Sequence, residues 1–207
     1  SLEHFVSLGY ERPLPIAPGV QLTFYDAGHI LGSALVALDV EEDGRTYRLL
    51  FTGDLGRPAM PILRDPTVVH EVDYLIAEST YGARSHGTAE EAEAKLRQII
   101  NHAFDRGGKV IIPAFAVGRT QEIVYALQRL TDARKIPRLP IYVDSPLALD
   151  VTEIFRLHPE CYDAEIRNYM ESRDDPDPFG FESLHYVRSV EESKELNFVR
   201  EPSVIIS

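Results

Sequence analysis

Val20, Leu22 and Phe24 alternate with Gln21, Thr23 and Tyr25, and this period of two predicts a half-buried strand over 20–25. A second apolar run predicts a strand over 33–40. The acidic turn Glu41-Glu42-Asp43-Gly44 then leads into a third strand over 46–52, so the two should form a hairpin. Between Gly56 and Val72 three prolines interrupt the pattern, and the stretch reads as a long loop with room for a short helix.

From Asp73 the texture changes. Residues 73–77 read as a buried apolar strand. Thr88-Ala89-Glu90-Glu91 has the spacing of a capping box, in which the Thr hydroxyl and the Glu carboxylate each satisfy a main-chain N–H. Ala89, Ala92, Leu96, Ile99, Ile100 and Ala103 follow at intervals of three and four, the inward stripe of a helix that Gly107-Gly108 ends. Beyond it come a strand over 109–114, a helix over 120–130 with Ile123, Val124 and Leu127 inward, and a strand over 139–143. Helices near 147–157 and 160–172, a loop over 173–180, a strand over 184–187, a helix over 189–198 and a strand over 203–206 complete the chain. Strands and helices alternating at this spacing predict a mainly parallel sheet with helices on both faces. No repeat or low-complexity run interrupts the pattern. The last apolar strand stops at Ser207 without a cap, which reads as a chain cut from a longer one.

Composition narrows the class. A chain of 207 residues can bury a real core in one or two domains, and 44% apolar with 26% charged residues excludes disordered and collagen-like classes. No window of about 18 apolar residues is present, so no membrane span is expected. The opening SLEHFVSLGYERP lacks the basic start and apolar run of a signal peptide. A single cysteine, Cys161, allows neither an internal disulfide nor a cysteine-built zinc site, and points to the reducing cytoplasm. The net charge of −12 makes the chain a poor non-specific binder of nucleic acid. Any such role must be local, and residues 83–133, with seven basic against six acidic residues, are the place to look for it.

Five segments could carry chemistry. His29 lies between two strands, beside Gly28 and Gly32, where an imidazole could ligate a metal or merely hydrogen-bond its own turn. Asp54 ends an apolar strand between Gly53 and Gly56. Its carboxylate could bridge two cations or form an Asx turn. Glu78 ends the next strand, and a charge there needs a partner, either a metal-bound imidazole or a local hydroxyl and helix N-terminus. Arg119 stands where a strand passes through Gly118 into a helix, an arrangement that suits a phosphate. A cap plus an Arg–Glu pair explains it equally. Ser145 marks a similar corner, Asp144-Ser145-Pro146, readable as a helix cap or as part of the edge where open α/β sheets bind ligands. The segment around Arg119 is not a Walker loop, and no Gly-x-Gly-x-x-Gly follows a strand, so a plain nucleotide-binding Rossmann reading fails.

In this order, GHILGS at 28–33, TGDLG at 52–56, AESTYG at 77–82, PAFAVGRTQE at 113–122 and YVDSPLA at 142–148 resemble the β-CASP family of metallo-β-lactamase fold RNA-processing nucleases. The resemblance covers essentially the whole chain. It implies an α/β fold: the β-rich part of a metallo-β-lactamase αββα sandwich, followed by a β-CASP insert with a mainly parallel sheet and flanking helices. Residues 1–82 would be the C-terminal part of the first metallo-β-lactamase segment, 83–201 the β-CASP domain, and 202–207 the start of the return. His29 matches a ligand of one zinc, Asp54 the carboxylate bridging two zinc ions, and Glu78 the acidic residue that supports a ligating histidine, with Asp54 and Glu78 counted as catalytic. Arg119 and Ser145 fall in segments that line the cleft between the two domains. With Arg84 and His86 they would be the positive or polar contacts to single-stranded RNA. A homodimer stays open, and no membrane partner is implied.

The chain also departs from the family pattern. The main zinc motif His-x-His-x-Asp-His is absent, because the seven histidines stand at 4, 29, 70, 86, 102, 158 and 185. Two ligands cannot hold a pair of zinc ions. The expectation is therefore the middle of a zinc-dependent ribonuclease, inactive as this chain alone. The alternatives are a non-catalytic β-CASP scaffold subunit of an RNA-processing complex, or another metallo-β-lactamase-fold hydrolase.

Overall fold

A computed structural model describes residues 2–172 and 177–207. The expected loop over 173–180 thus lies partly outside the described residues. The chain divides into two compact units, Ser1–Ser85 and His86–Ser207. Among the described residues no helix is long and apolar enough to cross a membrane.

The first unit is a five-stranded sheet in chain order: β1 (Leu14–Ala17), β2 (Val20–Asp26), β3 (Ala34–Glu42), β4 (Arg45–Phe51) and β5 (Tyr74–Ile76). β1 to β4 run antiparallel, and β5 joins β4 in parallel. The β3–β4 hairpin turns on Asp43 and Gly44, both left-handed at φ 50° and 74°, the geometry that matches strand twist. β1 escapes a reading by pattern, because Pro15 and its register shift confine it to an edge. Register assigns the two faces. Thr23 faces Ala37 and Ala37 faces Leu50, while Tyr25 faces Leu35. This side holds the unit's small core of Ala27, Leu35, Ala37 and Leu50, with Val69 and Val72 packed on it. The rows Leu22–Leu38–Leu49 and Phe24–Val36–Phe51 cover the opposite face and are only half-buried. Both faces are therefore apolar, unlike the one-sided alternation that the β2 sequence suggests.

The second unit alternates helix and strand: α1 (Ala89–Asp105), β6 (Lys109–Ile112), α2 (Arg119–Asp132), β7 (Ile141–Val143), α3 (Pro146–Leu157), α4 (Ala164–Glu171), β8 (Leu184–Tyr186), α5 (Val190–Glu195) and β9 (Ser203–Ile206). Its sheet is wholly parallel, in the order β6-β9-β7-β8. Strand β9, read above as the start of a return, is hydrogen-bonded on both sides within this sheet. Val204 and Ile206 are buried there, as an apolar run between two neighbours must be. Val124, Leu127 and Leu130 of α2 and Phe155 of α3 share that burial. Phe179 meets Phe155 and Tyr162 edge-on, at ring separations of 5.9 and 6.3 Å.

Several boundaries move for local reasons. β6 stops at Ile112 because Pro113 has no N–H for the ladder. The helix expected over 160–172 starts at Ala164, where Asp163 caps it by accepting from the Ile166 N–H. The capping box of α1 is present as expected. Its stripe is not fully inward, since Ile100 and Ala103 are buried while Ala92 and Ile99 remain exposed.

Candidate functional site

Three of the expected site residues sit on loops that the first unit draws together. At the end of β2, Asp26 accepts from the Gly28 N–H, and Ser33 Oγ accepts from the His29 N–H at 3.1 Å. A serine hydroxyl thus holds the turn, and the His29 imidazole is exposed. The Gly56 N–H donates to the Ala27 carbonyl at 2.8 Å, locking the loop after β4 onto the loop after β2. Only glycines allow this approach. A Cβ on Gly56 would lie 1.8 Å from the Gly28 carbonyl oxygen, and one on Gly28 would lie 2.7 Å from the Arg64 carbonyl oxygen. His29 and Asp54 therefore stand on two loops in backbone contact, each exposed.

Glu78 ties in the third segment. Its N–H donates to Thr52 Oγ1 at 3.1 Å, and its carboxylate accepts from the Leu55 N–H at 2.7 Å, one residue past Asp54. That hydrogen bond, then the Thr80 hydroxyl, holds the carboxyl below its ordinary value. Partial desolvation opposes the shift, while the Thr80 N–H and the nearby His29 imidazole add to it. One expectation is corrected here: β5 is not a buried strand. Tyr74, Leu75 and Ile76 are exposed on the sheet edge, and so is Glu78. Its partners are main-chain N–H groups and a hydroxyl, which an exposed carboxylate can collect from a neighbouring loop. Arg84 follows in the turn run 79–84, with its N–H on the Tyr81 carbonyl, and His86 opens the second unit; both are exposed.

Arg119 and Ser145 belong to the second unit. There Ile112, Ile206, Val143 and Tyr186 stand in one row across the sheet, so the chain leaves β6, β7 and β8 at one level. Arg119 pairs with Glu122 Oε2 at 2.7 Å and stays exposed. The N–H groups that a phosphate would need at this helix start are largely filled by the chain itself. The Gly118 N–H goes to Gln121 Oε1, the Arg119 N–H to the Val117 carbonyl and the Thr120 N–H to the Phe115 carbonyl. Ser145 caps α3 by accepting from the Ala148 N–H at 3.2 Å, with Pro146 at the first helical position.

Sequence reading missed Gln121. It is fully buried, and its amide Nε2 donates to the Ala116 carbonyl at 3.2 Å and to Thr152 Oγ1 at 2.9 Å. One side chain thus binds the loop before Arg119 to α3. The available signal was a Gln at the third helical position after a glycine, the place from which an amide can reach back to the cap.

The donor set of the first unit is one imidazole and one bridging-capable carboxylate, with a second carboxylate engaged nearby. Among the described residues no group of three or more His, Cys, Asp or Glu side chains is arranged to hold a metal ion.

Comparison with known proteins completes the picture. The Beta-Casp domain family matches residues 120–207. The chain is 35% identical to Ribonuclease TTHA0252 of Thermus thermophilus, across 97% of this chain and 46% of that protein. It is 34% identical to the transcription termination factor FttA of Methanosarcina mazei, across 100% of this chain and 32% of that one. An RNase J-like protein of Methanocaldococcus jannaschii is also 34% identical, across 100% and 47%. The chain spans about half the length, or less, of these relatives. Residues 120–207 thus match a Beta-Casp domain, in a chain that is similar to these relatives along nearly all of its length.

Proposed function

We propose that this chain is part of a zinc-dependent, RNA-processing ribonuclease that hydrolyses a phosphodiester. In this reading His29 and Asp54 are metal ligands, and Glu78 is the carboxylate that fixes the ligand loops. Arg119, Ser145, Arg84 and His86 contact single-stranded RNA. Residues 1–82 then belong to the metallo-β-lactamase part and 83–201 to the β-CASP part. The half-buried apolar rows Leu22–Leu38–Leu49 and Phe24–Val36–Phe51 support the first assignment, because a sheet apolar on both faces suits the inside of a layered sandwich. The names of two relatives, a ribonuclease and an RNase J-like protein, support RNA as the substrate.

The observation that carries the reading is the Gly56–Gly28 contact, with Glu78 bonded to the Leu55 N–H beside it. It gathers an imidazole and a carboxylate from segments 25 residues apart in sequence, His29 and Asp54. Imidazole and carboxylate donors suit zinc in kind but not in number, since a zinc ion takes four positions and a catalytic one takes three from protein. Two donors do not make the site, and no hydrolytic step follows from this chain alone. The chain by itself binds RNA without cutting it.

Calorimetric titration with zinc tests the incomplete centre: weak or no binding is expected, and two tight sites overturn it. Fluorescence anisotropy with labelled single-stranded RNA at low salt tests the substrate. A chain with no affinity for RNA overturns that part of the reading.

A further inference from the structure

The carboxyl edge of the parallel sheet carries a pattern that neither Arg119 nor Ser145 explains. Three corners leave the sheet at one level, because Ile112, Val143 and Tyr186 share the row set by β9. At strand spacings near 4.8 Å, the corners after β6 and β8 lie about 14 Å apart. Each corner puts a large apolar side chain into solvent: Phe115 at 86% exposure, with Val117 beside it at 38%, Leu147 at 61% and Val190 at 64%. The outer two corners also carry exposed guanidinium groups, Arg119 and Arg188.

Phe115 is held out by a rigid loop. Its carbonyl accepts from both the Thr120 N–H at 3.2 Å and Thr120 Oγ1 at 2.9 Å. Ala114 is pinned to the Ser207 carbonyl at 2.8 Å, and Ala116 to Gln121. A phenyl ring presented from a loop anchored on both sides is pre-organised, so a ligand that stacks on it pays little ordering cost. Of the acidic groups on these corners, Glu122 is engaged with Arg119, Asp144 with Ser193 and Glu192 with the Arg188 N–H, while Glu191 is exposed in the first turn of α5.

We propose that Phe115 is a base-stacking residue for single-stranded RNA running along this edge, with Leu147 and Val190 as apolar neighbours and Arg119 and Arg188 meeting the phosphates. The proposal rests on the RNA-binding reading above. Aromatic faces interleaved with cations are what a single strand needs, since every base offers a π-face and every linkage a charge. Apolar side chains spread over three corners, with cations at both ends, fit a strand better than a protein partner, which wants one contiguous apolar patch.

The test compares the 207-residue chain with its Phe115→Ala and Phe115→Trp variants. Two labelled probes are used at low salt, a single-stranded RNA of about 12 nucleotides and an abasic ribose-phosphate strand of equal length. Phe115→Ala should weaken RNA binding roughly 5- to 150-fold, leave abasic binding unchanged and leave the salt slope unchanged. Phe115→Trp should keep the affinity, and its indole, the sole one in a chain with no tryptophan, should be quenched by RNA and not by the abasic strand. Equal losses on both probes, or wild-type affinity of Phe115→Ala for RNA, overturn the proposal alone. A wild-type chain that binds neither probe overturns the RNA reading and the proposal with it.

Discussion

Gly56 and Gly28 meet backbone to backbone, so closely that a Cβ on Gly56 would fall 1.8 Å from the Gly28 carbonyl oxygen. The contact joins the loop of His29 to the loop of Asp54, and no flexible side chain stands there to yield.

Gly56→Ala should therefore destabilise the protein by at least about 2 kcal/mol, since backbone must shift to admit the methyl group. Gly32→Ala is the control. Gly32, unlike Gly56, is left-handed, at φ 84°, but nothing lies within 4 Å of its Cβ position, so only the conformational strain of about 1–2 kcal/mol remains. Urea unfolding of the two variants measures the difference. Equal losses would show that the loop contact is slack.

Glu78 makes the stability of the first unit depend on acid. Its carboxyl titrates below the ordinary 4.5 in the folded chain, chiefly because the Leu55 N–H bonds the ionised form. A depressed folded value means that the stabilisation is present above the unfolded value and is lost as pH falls through the folded one. Thermal melts from about pH 6 to about pH 3 should fall more steeply for wild type than for Glu78→Gln below the ordinary value. Parallel curves would mean that the Leu55 bond contributes nothing to folding.

How much of this was legible in the sequence depends on range. The Thr88–Glu91 box, the Asp43-Gly44 turn and β9 follow from a few neighbouring residues, and pattern found them. The exposure of Ile99 and of β5 depends on what packs against them, which periodicity along one element does not encode. The Gly28–Gly56 contact lies between these cases. Glycines beside His29 and Asp54 were visible, but their pairing is a long-range fact of the β2–β3–β4 register. Gln121 stayed hidden because a polar residue is read as exposed until its partners, here Ala116 and Thr152, are known.

Gln121 should be costly to replace. Gln121→Ala strips the Gly118 N–H, the Ala116 carbonyl and the Thr152 hydroxyl of a buried partner and leaves a void, a loss of about 2–4 kcal/mol. Gln121→Glu, nearly isosteric, should also destabilise, because an acceptor replaces the donor that faces two oxygens. Chemical denaturation checks both. A neutral Gln121→Glu would show that Nε2 is not the working end of the side chain.

Arg119 separates recognition from folding. Its ion pair with Glu122 is exposed and three residues away on one helix, so its loss should cost about 0.5 kcal/mol or less. If the guanidinium meets a phosphate, Arg119→Ala should weaken RNA binding while the melting temperature barely moves, and the salt dependence of binding should drop by about one counterion. Anisotropy across a salt series, beside a thermal melt, reads both quantities on the same sample. The opposite result, unchanged RNA affinity with a lowered melting temperature, would make Arg119 a helix-start residue and nothing more. Phosphate recognition on this edge would then fall to Arg188, on the far corner of the same sheet.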